Sequence, residues 1–334
     1  MRSIIESHNA IKKIFISNQQ LDDILNDIKD CREESNGETE PECMLVVGDT
    51  GSGKTTLIDK YLSENPRTEN ESGSIIPILF TTLPPNATPI TASEKLLSDL
   101  GDPFAFQQRK DPVELAERVT FLLHQCQVEL IILDEFQHMI DRKQKAVLHS
   151  AADWLKILIL DSKIPVALFG MPYSTVILDA NSQLNGRFEL QHHLEPFRVK
   201  DNRHLVRYKT FLELLDESLP FTESSNLSSK ELMMRIYAFS KGNMRRIRKL
   251  INRASKYALE DNALRIELHH FEKAAPKVSR NACERFNPFT VSLSKLKMVE
   301  PDKDVGWDNY LHATDIDFND IHISAAKRLK NALN

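Results

Sequence analysis

The sequence predicts an α/β fold: a parallel central sheet, then a small all-α lid and a C-terminal appendage. Three observations carry this. Up to about residue 200, short apolar runs alternate with helical patterns, the order expected of strands joined by crossover helices. From Asp201 onward the apolar period is helical throughout. Between the first apolar run and the helix after it lies a glycine-rich segment, Gly48-Asp49-Thr50-Gly51-Ser52-Gly53-Lys54-Thr55, which satisfies G-x-x-x-x-G-K-[ST].

The elements follow in chain order. Residues 1–30 read as helical, with Ile11, Ile14 and Phe15, then Leu21, Ile24, Leu25 and Ile28 at helical spacings. Glu33 to Pro41 is a polar linker. Met44-Leu45-Val46-Val47 is a strand, and Leu57, Ile58, Tyr61 and Leu62 continue as a helix behind the glycine-rich loop. After the polar stretch 63–73, residues 75–80 form the next strand, with Pro77 at its start or at a sheet edge. Thr91–Leu100 is a helix opened by a Thr N-cap with Glu94 three residues on, and Pro112–Gln127 is another. Glu129-Leu130-Ile131-Ile132-Leu133-Asp134 reads as a buried parallel strand. The charged run at 141–145 leads into a helix through Leu160; residues 165–170 and 188–194 are the last strands. Beyond them, helices are expected at 202–217, 228–240, 243–261 and 267–275. The organisation is therefore an N-terminal helical segment and linker (1–40), an α/β domain (41–200), a helical lid (201–275) and a tail (276–334).

The loop carries a definite chemistry. Its glycines let backbone N–H groups converge on a polyphosphate, and the following helix N-terminus adds its positive dipole end. Gly48 through Thr56 form the nucleotide site, with Lys54 on the β/γ-phosphates and Thr55 on Mg²⁺. Roughly eighty residues later the apolar strand ends in Asp134-Glu135, at the carboxyl end of a strand, where reactive groups of parallel sheets gather. Asp134 there holds Mg²⁺, and Glu135 polarises a water for in-line attack on the γ-phosphate of ATP. His138 reads as a structural hydrogen-bonder, Phe136 as core and Trp154 as packing rather than a base-stacking platform.

Composition bounds the class. With 334 residues, 41% hydrophobic and 27% charged, the chain has room for a large and a small domain and an ordinary core. No apolar run approaches the roughly 18 residues of a membrane span, and no secretory leader is evident, so a cytoplasmic protein with no membrane partner is expected. Four scattered cysteines suggest neither a zinc site nor disulfides. Charge is uneven: residues 1–42 carry ten acids against five bases, residues 230–280 thirteen bases against five acids. The second segment is either a footprint for a polyanion or a solvated helix face.

Further residues resemble one superfamily. Asn185-Gly186-Arg187-Phe188 resembles the arginine-finger region of AAA+ ATPases, and Gly242-Asn243-Met244-Arg245 its sensor-2 motif. Asp134-Glu135-Phe136-Gln137-His138 is close to the D-E-x-Q-H string of transposon-encoded AAA+ regulators. Over residues 40–275 the chain resembles the TnsC/TniB group, related to MuB, and in length and tail it looks most like TnsC of CRISPR-associated transposons. The resemblance implies that Arg187 reaches a neighbouring subunit's γ-phosphate and that Arg245 senses the nucleotide from its own lid. It implies a homo-oligomeric ring or filament on double-stranded DNA, bound without strong sequence preference, that links a target-selection complex to transposase subunits. Arg142, Lys143 and Lys145 are the first candidates to meet the DNA backbone, Arg109 and Lys110 the second. One departure stands out: the strand ending Leu168-Phe169-Gly170-Met171 lacks the Asn or Thr that AAA+ proteins place there as sensor-1. Slow, regulatory hydrolysis is expected, with Thr81 or Thr82 as stand-in contacts. The alternatives are a clamp or helicase loader, an initiator-like ATPase, or a STAND-type signalling NTPase. Apolar anchors among polar residues in the tail (Phe289, Trp307, Tyr310, Ile316, Phe318) suit docking on a partner or a neighbouring subunit; the alternative is that the tail folds back onto its own lid.

Overall fold

The computed structural model describes residues 4–35, 40–71, 73–106, 111–140, 145–280, 283 and 286–301. In chain order the elements are α1 (Ile4–Lys13), α2 (Gln19–Glu34), β1 (Met44–Gly48), α3 (Lys54–Glu64), β2 (Thr68–Asn70), β3 (Gly73–Ile75), β4 (Ile78–Thr82), α4 (Pro89–Asp99), α5 (Pro112–Gln125), β5 (Leu130–Asp134), α6 (Lys145–Ser162), β6 (Val166–Gly170), α7 (Val176–Ala180), α8 (Ser182–Asn185), β7 (Leu190–Leu194), α9 (Asn202–Glu217), α10 (Lys230–Ser240), α11 (Met244–Glu260) and α12 (Leu268–Val278). Among the described residues no helix is long and apolar enough to cross a membrane.

The chain divides into two compact units. The α/β unit comprises residues 20–50 and 54–194 and holds a five-stranded parallel sheet in the order β4-β5-β6-β1-β7. β1, β5 and β6 are buried along their whole length, which is why each reads as an unbroken apolar run; the edge strands β4 and β7 expose residues. Val47 pairs with Gly170 and Leu133 with Leu168, so β6 lies between the strand that feeds the glycine-rich loop and the strand that ends in Asp134. Helix α2 is tied to this unit by His192 Nε2 on Asp27 (2.6 Å), Gln20 Nε2 on the His193 carbonyl (2.6 Å) and Arg32 Nε on Glu129 (2.6 Å). Phe136 is fully buried in this core, and Trp154 packs against it while its indole N–H donates to Ser93 Oγ at 3.0 Å.

Local departures from expectation have local causes. α4 begins at Pro89, not Thr91: Thr88 is the N-cap, and Thr88 and Thr91 exchange side-chain-to-backbone hydrogen bonds in a capping box. The stretch 63–73 and Ile75, expected as linker and strand start, furnish the exposed hairpin β2–β3, and the sheet strand β4 starts only at Ile78, after Pro77.

The helical unit comprises residues 4–19, the loop tip Gly51–Gly53 and residues 195–301. Its core gathers Tyr208, Phe211, Leu215, Ile236, Tyr237, Ile247, Leu250, Ile251 and Phe271 with Ile11 of α1. α1 is held on α11 by Arg248, which donates to the Ile11 and Ile14 carbonyls at 3.0 Å each. The structure moves the expected lid boundary at 275. Pro276 sits inside α12, and Phe289, 1% exposed, stacks on Phe271 with ring centroids 5.3 Å apart. Arg235 donates to the Pro288 and Val291 carbonyls at 2.6 and 2.7 Å, and Glu300 accepts from the Val199 and Lys200 amides. Residues 286–301 are therefore lid core rather than free tail; residues 302–334, where the remaining docking anchors fall, lie outside the described residues. Truncation after Pro276 is expected to unfold the helical unit, since removing Phe289 alone costs about 3–5 kcal/mol. Truncation after Pro301 is expected to leave its thermal transition in place. Calorimetry of the two truncated chains checks this.

Candidate nucleotide-binding site

The site grows out of the carboxyl ends of β1, β5 and β6. β1 delivers the chain into residues 49–53, and α3 begins directly at Lys54. Gly51 stands at φ +84°, in the left-handed region, and a Cβ there would sit 2.8 Å from Arg245 Cβ and 2.9 Å from Asn243 Oδ1. Only glycine fits both the backbone and the space. Lys54 is buried, and its ammonium donates to the Gly48 and Asp49 carbonyls, so it is folded into the hollow of its own loop. Thr55 and Thr56 are exposed on the first turn of α3. The Ser52 hydroxyl is buried without a partner.

Asp134 ends β5 with 4% of its surface exposed. Burial pushes its carboxyl above the usual carboxylate range; the Glu135 amide N–H, donating to Oδ1 at 2.8 Å, lowers it, the Glu135 charge raises it, and the Lys54 ammonium lowers it again. Lys54 and Asp134 thus belong to one electrostatic site although about eighty residues separate them in the chain. Glu135 takes a left-handed conformation (φ 57°, ψ 37°), uncommon for a non-glycine residue and frequent at functional turns. The turn aims its carboxylate at Gln137 Nε2, which donates to it. Gln137 Oε1 accepts the Met171 N–H at 3.2 Å, at the end of β6 where sensor-1 was missing from the sequence. Sequence reasoning assigned Gln137 no role; its only signal was its place in D-E-x-Q-H. Of the two expected stand-ins, Thr81 is fully buried with its hydroxyl unpartnered, and Thr82 pairs in register with Asp134 at the exposed end of β4.

The two arginines differ. The Arg245 N–H donates to the Gly51 carbonyl at 3.1 Å, one residue into α11, whose N-cap is Asn243; its side chain is exposed. Arg187 is turned inward: its side chain is 13% exposed, it reaches Glu40 at 3.1 Å, and its Nη1 is buried without an acceptor. Arg109, Lys110, Arg142 and Lys143 lie outside the described residues, as does the side chain of Lys145, whose backbone opens α6.

One cluster elsewhere has ligand-like residues. Asp261, His269 and His270 bring three candidate atoms within 4.8 Å of one another. His270 Nδ1 already accepts the Glu267 N–H at 2.9 Å, so the neutral ring carries its hydrogen on Nε2, 3.3 Å from Asp261. That nitrogen lies against the Asp261 carboxylate without a hydrogen bond, and it is through Nδ1 that His270 caps α12.

Comparison with known proteins gives a family and a fold. A family model described as bacterial TniB protein matches residues 8–198. Among solved structures, the Aeropyrum pernix ORC1 protein in complex with DNA superposes with a TM-score of 0.56 at 14% identity, covering 84% of this chain and 71% of that one. Cdc6p from Pyrobaculum aerophilum gives 0.56 at 12% identity, covering 81% and 70%. The Aeropyrum pernix ORC2 protein, in its ADPNP–ADP complexes, gives 0.52 at 14%, covering 90% and 85%. At such identities these likenesses establish the fold alone, a parallel five-stranded sheet with flanking helices followed by a helical unit. A search of curated proteins found no match.

Proposed function

The chain belongs to the bacterial TniB protein family, and from that membership we propose that it is an ATP-dependent, DNA-binding regulator of transposition. The observation that carries the nucleotide half is Lys54, folded into its glycine-rich loop after β1, acting electrostatically on the buried Asp134 carboxyl at the end of β5, the two strands flanking β6. The residues fit ATP and Mg²⁺. The loop offers an unpartnered Ser52 hydroxyl, and Thr55 and Asp134 supply the hard oxygen donors that Mg²⁺ takes beside phosphate and water. Bound there, Mg²⁺ neutralises charge developing on the phosphates. Lys54 would hold the phosphates, Thr55 and Asp134 would hold the metal, and Glu135 would take a proton from the attacking water. Arg245 reports the nucleotide to the lid.

The transposition half follows from the family. The DNA seen with the ORC1 relative supports duplex DNA as a partner on this fold. We assign Arg187 as the group donated across subunits in a ring or filament, which requires it to leave Glu40 on assembly. The basic run at 142–145 and the pair at 109–110 would track the DNA backbone, and the tail beyond 301 would dock transposase subunits and a target-selection complex. Electron microscopy of the chain with ATP, Mg²⁺ and duplex DNA tests this. Closed rings or filaments are expected from the parent, and short, unstable assemblies from Arg187→Ala, whose monomer still binds nucleotide. Parent-like assemblies from Arg187→Ala would remove it from the subunit interface.

A further inference from the structure

Glu135, the residue that must polarise water, is held by one side chain from its own turn. Gln137 is 5% exposed, and both ends of its amide are engaged: Nε2 donates to the Glu135 carboxylate and Oε1 accepts from the Met171 amide at 3.2 Å. Donor and acceptor logic fixes the amide's orientation, since a carboxylate can only accept and an N–H only donate. Space for it exists because residue 170 is glycine: a Cβ there would stand 3.3 Å from Gln137 Oε1 and would run into Ser174 Oγ. Gly170 pairs with Val47 at the root of the phosphate loop, and the Thr50 hydroxyl of that loop lies 3.8 Å from Met171 Sδ. Hydrogen bonds thus join the Glu135 carboxylate through Gln137 to the Met171 backbone at the end of β6, and the Met171 side chain touches the phosphate loop at Thr50.

We propose that Gln137 is a positioning residue for Glu135, fixing its carboxylate against the end of β6 and coupling it through Met171 to the phosphate loop. It supplies from the β5 turn the polar group that β6 itself does not carry. A surface glutamine would contribute little to turnover. This one is buried, donates to a charged acceptor, and shares its other end with backbone that would otherwise be unsatisfied. The inference rests on the reading that Glu135 acts in ATP hydrolysis.

The test is steady-state ATPase kinetics of the full chain with Mg²⁺ and duplex DNA, with nucleotide binding and thermal melting as controls. Gln137→Glu keeps the side-chain length and the acceptor for Met171, but replaces the donor to Glu135 with a second carboxylate. Gln137→Met keeps the volume and removes both hydrogen bonds. Each is expected to lower kcat roughly 10- to 100-fold while KM for ATP stays within about two-fold, the signature of an interaction that serves the transition state. In a Glu135→Gln background, Gln137→Glu is expected to add no further loss, because the amide and the carboxylate have merely exchanged places. If Gln137→Glu does not fold, Gln137→Met decides. Parental kcat in the folded variants, or full additivity with Glu135→Gln, overturns the role of Gln137 while leaving that of Glu135 intact. Absence of turnover in the parent overturns both.

Discussion

Lys54→Ala is expected to abolish ATP binding at working concentrations while leaving the fold in place. The Lys54 ammonium donates to the phosphate loop's own carbonyls, Gly48 O and Asp49 O, and a bound polyphosphate takes over the ammonium's N–H groups as their acceptor. Truncating one partner of a desolvated charge pair costs about 2–5 kcal/mol, a loss of roughly 30- to 5,000-fold in affinity. A second effect adds to the first. Burial already raises the Asp134 carboxyl, and Lys54 is one of two influences that lower it. Without the lysine the carboxyl moves further up, and its hold on Mg²⁺ weakens as pH falls towards it. Titration calorimetry with ATP at two pH values checks both parts. Binding within about three-fold of the parent would show that Lys54 does not face the phosphates.

Glu135→Gln is expected to do the opposite: binding is kept and turnover falls by about 10²–10⁴-fold, because an amide cannot accept the water's proton. The left-handed turn should survive the change, since the bond that frames it runs from the backbone N–H of residue 135 to Asp134. Gln137 can still donate to the new amide's oxygen. Single-turnover kinetics separates the chemical step from binding; parental turnover would place the water-polarising group elsewhere.

Much of this site was legible in the sequence because each part is short-range. β1 and β5 are central strands buried on both faces, so they appear as apolar runs, and the glycine-rich loop and Asp-Glu pair directly adjoin their ends. What escaped depends on contacts distant in the chain. Gln137 gains its role from Met171, 34 residues on, and Arg187 is turned inward by Glu40, 147 residues before it. Residues 286–301 form no long helix or sheet strand whose period would mark them as structured, yet Phe289 is placed by Phe271 and the segment is fastened by Arg235. The N-cap of α4 lies at Thr88, three residues before the expected Thr91, because both threonines have capping chemistry and Pro89 marks the true first turn. The basic candidates for DNA contact rested on charge alone, and charge does not say which way a side chain faces.

The central claim is that nucleotide gates the hold on DNA, and one measurement addresses it directly: fluorescence anisotropy of a labelled duplex titrated with the Glu135→Gln chain, which retains ATP unhydrolysed. With ATP and Mg²⁺, binding is expected to be tight and indifferent to base sequence. It should weaken steeply with salt, log K falling against log[salt] with a slope near −0.9 for each phosphate neutralised. With ADP or no nucleotide, affinity is expected to drop at least about ten-fold. Equal affinity in all three nucleotide states, or binding that does not respond to salt, would contradict an ATP-gated assembly on the DNA backbone.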